Sequence, residues 1–235
     1  SMPGSGTAVP PELVLVPPEL VVVPPEVVVV VPPEVVDNLD LGDAYGAADV
    51  RKVVSMAGVR YRHVVTNGIT ATDLCTDAAR ALIERLDWAP ESITGLIMVT
   101  QSPDYFLPSS ACIVHARLGL SVNCAAFDIG LGCSGYPYGL YIAATMLKGG
   151  GHQRILMLHG ETPSRFPSPD DHATTLLFGD AGSATALELS DDPADEGSFG
   201  LYTDGSGAEG VASLPASCTW AVTPMRSPGG VEAMV

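Results

Sequence analysis

Apolar and polar residues alternate along residues 37–190 in blocks that have the lengths of helices and strands. Apolar residues recur at helical spacing from Leu74 to Leu86, and Thr72 and Asp73 offer side chains that can cap this helix. Further helices are predicted from Pro108 to about residue 118 and from Cys133 to about residue 148, where three glycines follow. Short apolar runs predict strands at 93–100, 123–129, 153–159, 176–178, 182–189 and 199–203. The alternation predicts an α/β fold with a mixed sheet.

Residues 1–36 follow a different pattern, in which Val-Pro-Pro-Glu recurs at 9–12, 16–19, 23–26 and 31–34. Paired prolines break helices and remove backbone donors, while the Val and Leu runs between them favour extended structure. We therefore expect polyproline or irregular edge-strand segments here, and not the interior of a sheet. The low-complexity repeat is either a proline-rich docking tract or an artificial stretch that follows an expression scar. We divide the chain into this segment at 1–36, an N-terminal domain at 37–190, and a connecting segment at 191–235.

Composition narrows the class of partner and the compartment. The formal net charge is −16, with 11 Lys and Arg against 27 Asp and Glu and no basic cluster, which argues against binding to nucleic acid or to an anionic membrane. The longest uninterrupted apolar run, 27–31, is too short to span a bilayer, and no signal peptide is expected. Five cysteines without a C-x-x-C pair argue against a disulfide framework and a structural zinc site. We expect a cytoplasmic protein with no metal and no cofactor.

Cys133 has the most informative surroundings in the chain. It follows an apolar run that ends at Ile129, and Gly130, Gly132 and Gly135 surround it. Such glycines permit the unusual backbone angles and close contacts of a turn from strand to helix. A thiol that begins a helix ionises more readily, because the helix N-terminus favours negative charge. The small residues of the helix indicate that it is buried between layers, which would hold Cys133 at the bottom of a pocket. The pattern predicts a cysteine nucleophile.

Two other interpretations of this segment stay open. Residues 130–135 match the dinucleotide pattern G-x-G-x-x-G, with Glu161 downstream as the acidic residue that such sites place near the ribose. The spacing to Glu161 is longer than the usual twenty or so residues, and a phosphate turn does not need a cysteine. Cys133 could also be a buried structural thiol, which is the ordinary role of an isolated cysteine.

The motifs around Cys133 resemble a known family. Residues 127–135 (Phe-Asp-Ile-Gly-Leu-Gly-Cys-Ser-Gly), 138–140 (Tyr-Gly-Leu) and 178–184 (Phe-Gly-Asp-Ala-Gly-Ser-Ala) resemble the N-terminal half of β-ketoacyl-acyl-carrier-protein synthase III, a thiolase-fold condensing enzyme. Weaker matches fall in the same order at 35–38, 58–60, 106–112 and 203–207, so the resemblance covers about residues 31 to 215. It implies a thiolase-like mixed sheet with a buried nucleophile-bearing helix, forming one half of a duplicated fold whose C-terminal half is largely absent.

The resemblance implies acyl transfer through a thioester. Cys133 would take the acyl group from acyl-CoA or an acyl-carrier-protein, and a malonyl thioester would then decarboxylate and accept that group, as in fatty-acid or polyketide biosynthesis. Leu107, Leu177 and Phe178 match the acyl-binding segments of the family, although each could equally be an ordinary core residue. A homodimer, or a complementing chain, is implied as the partner.

Two departures from the family change these expectations. The tryptophan and two arginines that grip the CoA nucleotide correspond here to Lys52, Met56 and His172, so we expect weaker CoA recognition and a carrier-protein or unusual donor. The catalytic histidine and asparagine belong to the C-terminal half, which lies beyond this sequence. His159, at the end of a strand, is the histidine best placed to approach the pocket, unless its role is structural.

Three functions follow from the sequence. The first is a condensing acyltransferase, of which this chain carries the nucleophile. The second is a thioester hydrolase or simple acyltransferase that uses the same cysteine without condensation. The third is a non-catalytic or engineered thiolase-fold fragment.

Overall fold

The computed structural model describes residues 26–66, 68–166, 172–190 and 199–203. Its strands are β1 (Glu26–Val30), β2 (Glu34–Asp37), β3 (Tyr61–Val64), β4 (Gly95–Val99), β5 (Ala125–Ile129), β6 (Arg154–Glu161) and β7 (Ala181–Glu188). Its helices are α1 (Gly42–Tyr45), α2 (Ala47–Ala57), α3 (Ala71–Leu86), α4 (Ser110–Leu118), α5 (Gly135–Lys148) and α6 (His172–Thr175). Short 3₁₀ turns occupy Asn38–Leu41, Pro90–Ser92 and Pro163–Arg165.

The main sheet has five strands in the order β1-β7-β6-β4-β5. β4 pairs in parallel with both β5 and β6, whereas β7 is antiparallel to β6 and β1 is antiparallel to β7. β2 and β3 form a separate antiparallel pair. The predicted α/β fold with a mixed sheet is confirmed. Because parallel strands end at the same edge of a sheet, the loops that follow β4, β5 and β6 lie together.

Helices cover the sheet on both faces, which explains the unbroken apolar run of β4. All five residues of β4 are buried, and their side chains alternate between two cores. Leu96 and Met98 pack with α3 and α4, while Ile97 and Val99 pack with α5. A strand that is buried on both faces reads as continuously apolar and not as alternating. The layers are therefore helix, sheet and helix.

The beginning of α3 differs from the sequence prediction. The N-cap is Thr70, whose hydroxyl accepts a hydrogen bond from the Asp73 backbone N–H at 3.3 Å, while the Asp73 carboxylate accepts from the Thr70 backbone N–H at 2.8 Å. In this reciprocal capping box Thr70 is the N-cap and Asp73 is the third residue of the helix. Thr72, which the sequence offered as a cap, lies inside the helix and is buried.

Two predicted strands are absent from the described residues. At 176–178, the Leu177 N–H bonds to the Thr174 carbonyl at 3.1 Å, so the segment continues the turn that ends α6. The segment 199–203 is irregular: the Phe199 ring lies 5.7 Å from the Tyr141 ring, and the Thr203 hydroxyl lies 3.2 Å from the Tyr138 hydroxyl. Its residues contact side chains of α5 and not a neighbouring strand. Leu176 is buried and Phe199 packs on Tyr141, whereas Leu177, Phe178 and Tyr202 are exposed.

The strand β1 comes from the Val-Pro-Pro-Glu repeat. It lies at the edge of the main sheet beside β7, so the predicted edge-strand conformation is confirmed for residues 26–30. Part of the segment that the sequence sets apart from the domain therefore takes part in its sheet. The earlier copies of the repeat lie outside the described residues. Within the part of the chain that the structure describes, no helix is long and apolar enough to cross a membrane.

Candidate active site

Cys133 lies in the turn that joins β5 to α5. The turn is closed by a hydrogen bond of 2.8 Å from the Gly135 N–H to the Gly132 carbonyl, and Ser134 is the N-cap of α5. The sequence prediction that Cys133 begins the helix is wrong by two residues, because the helix begins at Gly135. Cys133 still lies immediately before the helix N-terminus, at the edge where the parallel strands end.

The Cys133 thiol is exposed in the described part of the chain. The prediction of a thiol at the bottom of a pocket is therefore not what the structure shows. The physical reason is that the sheet covers only one face of α5, which consists of Gly135, Gly139, Ala143, Ala144 and Leu147. In the turn itself, past the end of β5, Leu131 and Gly132 are partly buried, whereas Cys133 and Ser134 are exposed.

The glycines of this turn serve close packing and not unusual backbone angles. None of Gly130, Gly132 and Gly135 has a positive φ. A Cβ added at Gly132 would lie 2.6 Å from Gln101 Oε1, and one added at Gly135 would come closer than 3.0 Å to Val99 Cγ1. Nothing lies within 4 Å of a Cβ at Gly130. Gly132 and Gly135 thus let the turn approach β4 and the loop after it.

The loop that follows β4 is tied to the end of β6 by Glu161. One carboxylate oxygen accepts a hydrogen bond from the Gln101 backbone N–H at 2.7 Å, and the other accepts from the Ser102 hydroxyl at 2.5 Å. Ser102 Oγ in turn accepts from the Thr162 N–H at 3.2 Å. Because the Gln101 side chain lies against Gly132, this network supports the turn that carries Cys133.

Sequence reasoning assigned Glu161 only to the dinucleotide alternative and missed this network. The signal that could have found it is the position of polar residues directly after buried parallel strands, whose ends meet at one edge of the sheet. In the structure both oxygens of the Glu161 carboxylate accept hydrogen bonds from the β4 loop. That engagement leaves the dinucleotide interpretation without its acidic partner.

His159 lies near the end of β6, close to the start of α5. Its ring centroid is 6.1 Å from that of Tyr136, whose hydroxyl lies 3.2 Å from Thr185 Oγ1. Burial lowers the pKa of the His159 imidazole, and the Glu161 carboxylate opposes that shift. The neutral ring is therefore favoured. Through its contact with Tyr136, His159 lies beside the first turn of α5, the helix that follows Cys133. His159 is near the end of β6, as the sequence predicts.

The predicted acyl-binding residues lie in different surroundings. Leu107, in the loop after β4, is 86% exposed, while Leu177 and Phe178 are 40% and 45% exposed. Phe178 lines a cavity of about 280 Å³ together with residues from β2, β3, α6 and the turn at 163–165. Cys133, Leu107 and Leu177 do not line this cavity. His172 is the first residue of α6, and its side chain lies outside the described part of the structure.

The Phe-Gly-Asp motif at 178–180 has a structural role in this cavity wall. Asp180 is buried and accepts hydrogen bonds from the Val65 N–H at 2.7 Å, from the Ser164 N–H at 3.0 Å and from the Ser164 hydroxyl. Arg62 donates to Asn38 Oδ1 at 2.8 Å and to the Phe178 carbonyl at 2.9 Å. The motif thus fastens β7 to the small sheet.

Burial lowers the pKa of the Arg62 guanidinium, while the charge of Asp180 opposes that shift. Charged side chains that are buried in this way need partners, and the hydrogen bonds of both residues supply them. Among the described residues, no group of three or more His, Cys, Asp and Glu side chains is placed to hold a metal ion.

Comparison with known proteins agrees with this fold. Residues 127–205, which include the Cys133 turn and the Phe-Gly-Asp motif, match the family of 3-oxoacyl-[acyl-carrier-protein (ACP)] synthase III. A 3-oxoacyl-(acyl-carrier protein) synthase from Burkholderia xenovorans LB400 is 41% identical with a TM-score of 0.75, and the match covers 79% of this chain and 53% of that one.

Two further solved structures show how far the similarity extends. The β-ketoacyl-[acyl carrier protein] synthase III from Thermus thermophilus is 29% identical with a TM-score of 0.74, over 88% of this chain and 62% of that one. A tetronic acid condensing enzyme is 26% identical with a TM-score of 0.65, over 71% of this chain and 54% of that one. The chain spans about half the length of these structures. The chain therefore belongs to the 3-oxoacyl-[acyl-carrier-protein (ACP)] synthase III family.

Proposed function

We propose that this chain transfers acyl groups through a thioester on Cys133. The observation that carries the proposal is an exposed thiol in the turn after β5, inside the residues that match the family. In the first step the Cys133 thiolate attacks the carbonyl carbon of an acyl-CoA or acyl-carrier-protein thioester. The new C–S bond forms, the bond to the donor sulfur breaks, and the donor leaves as a thiolate. The Cys133 backbone N–H is our candidate donor to the developing oxyanion.

The second step of the proposed reaction is decarboxylative condensation. A malonyl thioester loses CO₂, and the carbanion that results attacks the thioester carbon on Cys133. The C–C bond forms, the Cys133 thiolate leaves, and the product is a β-ketoacyl thioester of the kind used in fatty-acid or polyketide biosynthesis. Because the chain spans about half the length of its solved relatives, we place the groups that assist decarboxylation in the other half of that fold.

The acyl donor that we favour is a carrier protein and not free CoA. Lys52 and Met56 are exposed and lie four residues apart on α2, so they share one face of that helix. The family has a tryptophan and an arginine at these positions, which supply a stacking face and a fork of donors that Lys and Met lack.

Restoring those two side chains tests the donor. We expect Lys52→Trp with Met56→Arg to raise CoA affinity several-fold by isothermal titration, since the original surface lacks both features. Lys52→Ala with Met56→Ala is the matched control and should leave the affinity unchanged. Tight, saturable CoA binding by the unaltered chain would overturn the preference for a carrier protein.

The thioester itself is tested by intact mass after incubation with acyl-CoA and acyl-carrier-protein thioesters. We expect one acyl adduct, which Cys133→Ala abolishes. Cys112 is the matched control because it is also a free, exposed cysteine, so Cys112→Ala should keep the adduct. An adduct that survives in Cys133→Ala would refute the proposal, and the absence of any adduct would favour a non-catalytic fragment.

The exposure of Cys133 also keeps thioester hydrolysis as a second candidate. Water can reach an acyl group on an exposed thiol, whereas condensation requires that water be kept out. Hydrolysis would release free acid from the acylated chain without any need for a malonyl thioester. Measuring acid release with and without malonyl thioester separates the two reactions.

We also propose that the chain assembles as a homodimer or with a complementing chain. The loop after β4 exposes three large apolar side chains in sequence: Tyr105 at 62%, Phe106 at 89% and Leu107 at 86%. Contiguous apolar side chains on a surface are typical of an interaction site. Sedimentation equilibrium of the chain gives the oligomeric state. The cytoplasmic location expected from the cysteines stays a prediction.

A further inference from the structure

Gln101 begins the loop after β4, and its backbone is held from two sides. The Thr100 N–H donates to the Ile129 carbonyl at 3.1 Å, which continues the parallel pairing with β5 up to the residue before Gln101. The Gln101 N–H donates to the Glu161 carboxylate at 2.7 Å. The place of this residue is therefore set by the two strands that flank β4, which are β5 and β6.

The Gln101 side chain lies against Gly132, the residue before Cys133. A Cβ at Gly132 would be 2.6 Å from Gln101 Oε1 and 3.3 Å from Gln101 Cδ, which is too close for atoms that are not bonded. A methyl group at position 132 and the Gln101 amide thus compete for one place, and glycine leaves that place to the amide. Because Gly132 has no positive φ, its backbone conformation does not by itself require glycine.

The Gln101 amide has unused hydrogen-bonding groups. Within the part of the chain that the structure describes, Gln101 forms a hydrogen bond through its backbone N–H and not through its side chain, and the residue is exposed. A carboxamide offers two donors and an acceptor oxygen. A side chain that served only to fill space against Gly132 would not need them. The amide is therefore available to a molecule that is bound beside Cys133.

In the proposed reaction, the molecule that stays beside this amide is the acyl group on Cys133. Consecutive Cα atoms lie about 3.8 Å apart, so the residue against which the amide packs is the direct neighbour of the nucleophile. The donor leaves in the first step, whereas the acyl group remains until condensation. A plain alkyl chain displaces water from the amide without replacing its hydrogen bonds, which is unfavourable. A hydroxyl near the thioester carbon can donate to Gln101 Oε1 or accept from Nε2.

We propose that Gln101 selects acyl groups that carry a hydroxyl close to the thioester, of the 3-hydroxyacyl class, over plain alkyl chains. This inference rests on the proposed acyl transfer to Cys133. Gln101 is a specificity-determining residue, because its amide pairs with the hydroxyl and takes no part in the bonds that form and break. A site that hydrogen-bonds a substrate hydroxyl discriminates against the analogue that lacks it. Because Gln101 is exposed, water competes for the amide, and the discrimination is that of a single neutral hydrogen bond.

Acylation rates with two matched thioesters test this selection. The chain is incubated with 3-hydroxybutyryl- or butyryl-acyl-carrier-protein, and intact mass gives the rate of adduct formation for each. The two acyl groups have the same chain length and the same donor, so they differ only in the hydroxyl. We expect the 3-hydroxybutyryl group to be transferred about threefold to tenfold faster, which is the range for one neutral hydrogen bond.

Two variants remove the amide from its place by different routes. Gln101→Met keeps the length of the side chain without its donors and acceptor, so the ratio of the two rates should fall to about one. Gly132→Ala leaves Gln101 unaltered but displaces its amide, and it should lower the ratio in the same way. Gln153→Met is the matched control, because Gln153 is also exposed but lies before β6, at the opposite end of the strand from Glu161. This control should keep the ratio of the unaltered chain.

Each ratio is measured within one variant, so a change in Cys133 reactivity that affects both thioesters alike cancels. Equal rates with the unaltered chain, or a faster rate for butyryl, would overturn the inference and leave acyl transfer intact. A preference that survives in Gln101→Met or in Gly132→Ala would also overturn it, since another group would then recognise the hydroxyl. The absence of an adduct with both thioesters would refute acyl transfer itself, and the inference with it.

Discussion

Gly135→Ala tests whether the approach of α5 to β4 sets the turn that carries Cys133. Gly135 is the first residue of α5, and a Cβ there would come closer than 3.0 Å to Val99 Cγ1 and lie 3.2 Å from Leu131 Cβ. Carbon atoms in contact normally lie about 3.5–4.0 Å apart. The helix must therefore move away from the sheet, or Val99 must move.

The stability cost of Gly135→Ala depends on which neighbouring atoms can move to make room for the new methyl group. Val99 is fully buried and β-branched, so it has little rotamer freedom with which to avoid the new methyl group. Overpacking of this kind costs about 1–3 kcal/mol, and we take the upper end because the overlap is severe. Alanine regains less than the roughly 1 kcal/mol that its helix propensity supplies in a helix interior, because Gly135 is the first residue of the helix. We therefore expect a net loss of about 2–3 kcal/mol in the free energy of unfolding.

Urea denaturation measures this loss as a lower midpoint, shifted by about 1 M for a typical dependence on denaturant. Gly130→Ala is the matched control from the same turn, since nothing lies within 4 Å of its Cβ and its φ is not positive. The control should be neutral or slightly stabilising.

A double-mutant cycle identifies the contact that is responsible. In a Val99→Ala background the clashing Cγ1 atom is absent, so Gly135→Ala should cost at least about 1 kcal/mol less than in the unaltered chain. Equal midpoints for the two glycine variants, or a cost that Val99→Ala does not reduce, would refute the packing argument.

Three further predictions follow from the same structure. Asp128→Ala should lower the free energy of unfolding, measured in urea, by about 1–2 kcal/mol, because the Asp128 carboxylate accepts hydrogen bonds from the first two N–H groups of α4 at 2.7 Å. The control Ser109→Ala should cost much less, since the Ser109 side chain makes no capping hydrogen bond. Burial lowers the pKa of His159 in the folded chain, so on acidification the unfolded chain takes up a proton on this residue at a higher pH than the folded chain does. The free energy of unfolding should therefore fall as the pH drops through the usual histidine range, and it should fall less steeply in His159→Asn. Identical pH profiles for the two proteins would contradict this. Burial raises the pKa of Cys75 to about 12 and that of Cys124 to about 11, so iodoacetamide at pH 8 should label the exposed thiols and spare these two until urea is added, as peptide mass mapping would show.

The elements that the sequence located best are those whose signal is local. The helix α4 lies within one or two residues of its prediction. The helix α5 ends at Lys148 as predicted, and beyond its C-cap Gly149 the next two glycines, Gly150 and Gly151, have positive φ. The strand β4 was found from its apolar run alone. The failures are the segment 176–178, which continues the turn after α6, and the segment 199–203, which contacts side chains of α5; neither joins a sheet. A local run of apolar residues indicates that a segment is buried, but it does not show whether a helix or a neighbouring strand buries it.

The candidate site shows the same division. Sequence reasoning found the Cys133 turn from its glycines and its neighbours, but it explained the glycines by backbone angle, whereas the structure explains Gly132 and Gly135 by contacts with Gln101 and Val99. The Glu161 network joins residues about sixty positions apart, so no window of sequence contains it. The cap of α4 likewise comes from β5 and not from Ser109.

The sequence by itself determined the α/β class, the order of the elements from α3 to β6 and the position of a cysteine in a glycine-rich turn, because hydrophobic spacing and turn residues act over a few neighbouring positions. Only the tertiary structure decided which edge of the sheet gathers the polar residues, and that the thiol is exposed in the described part of the chain. Those features depend on strand order and on contacts between distant segments. They follow from packing the elements together, which no local pattern specifies.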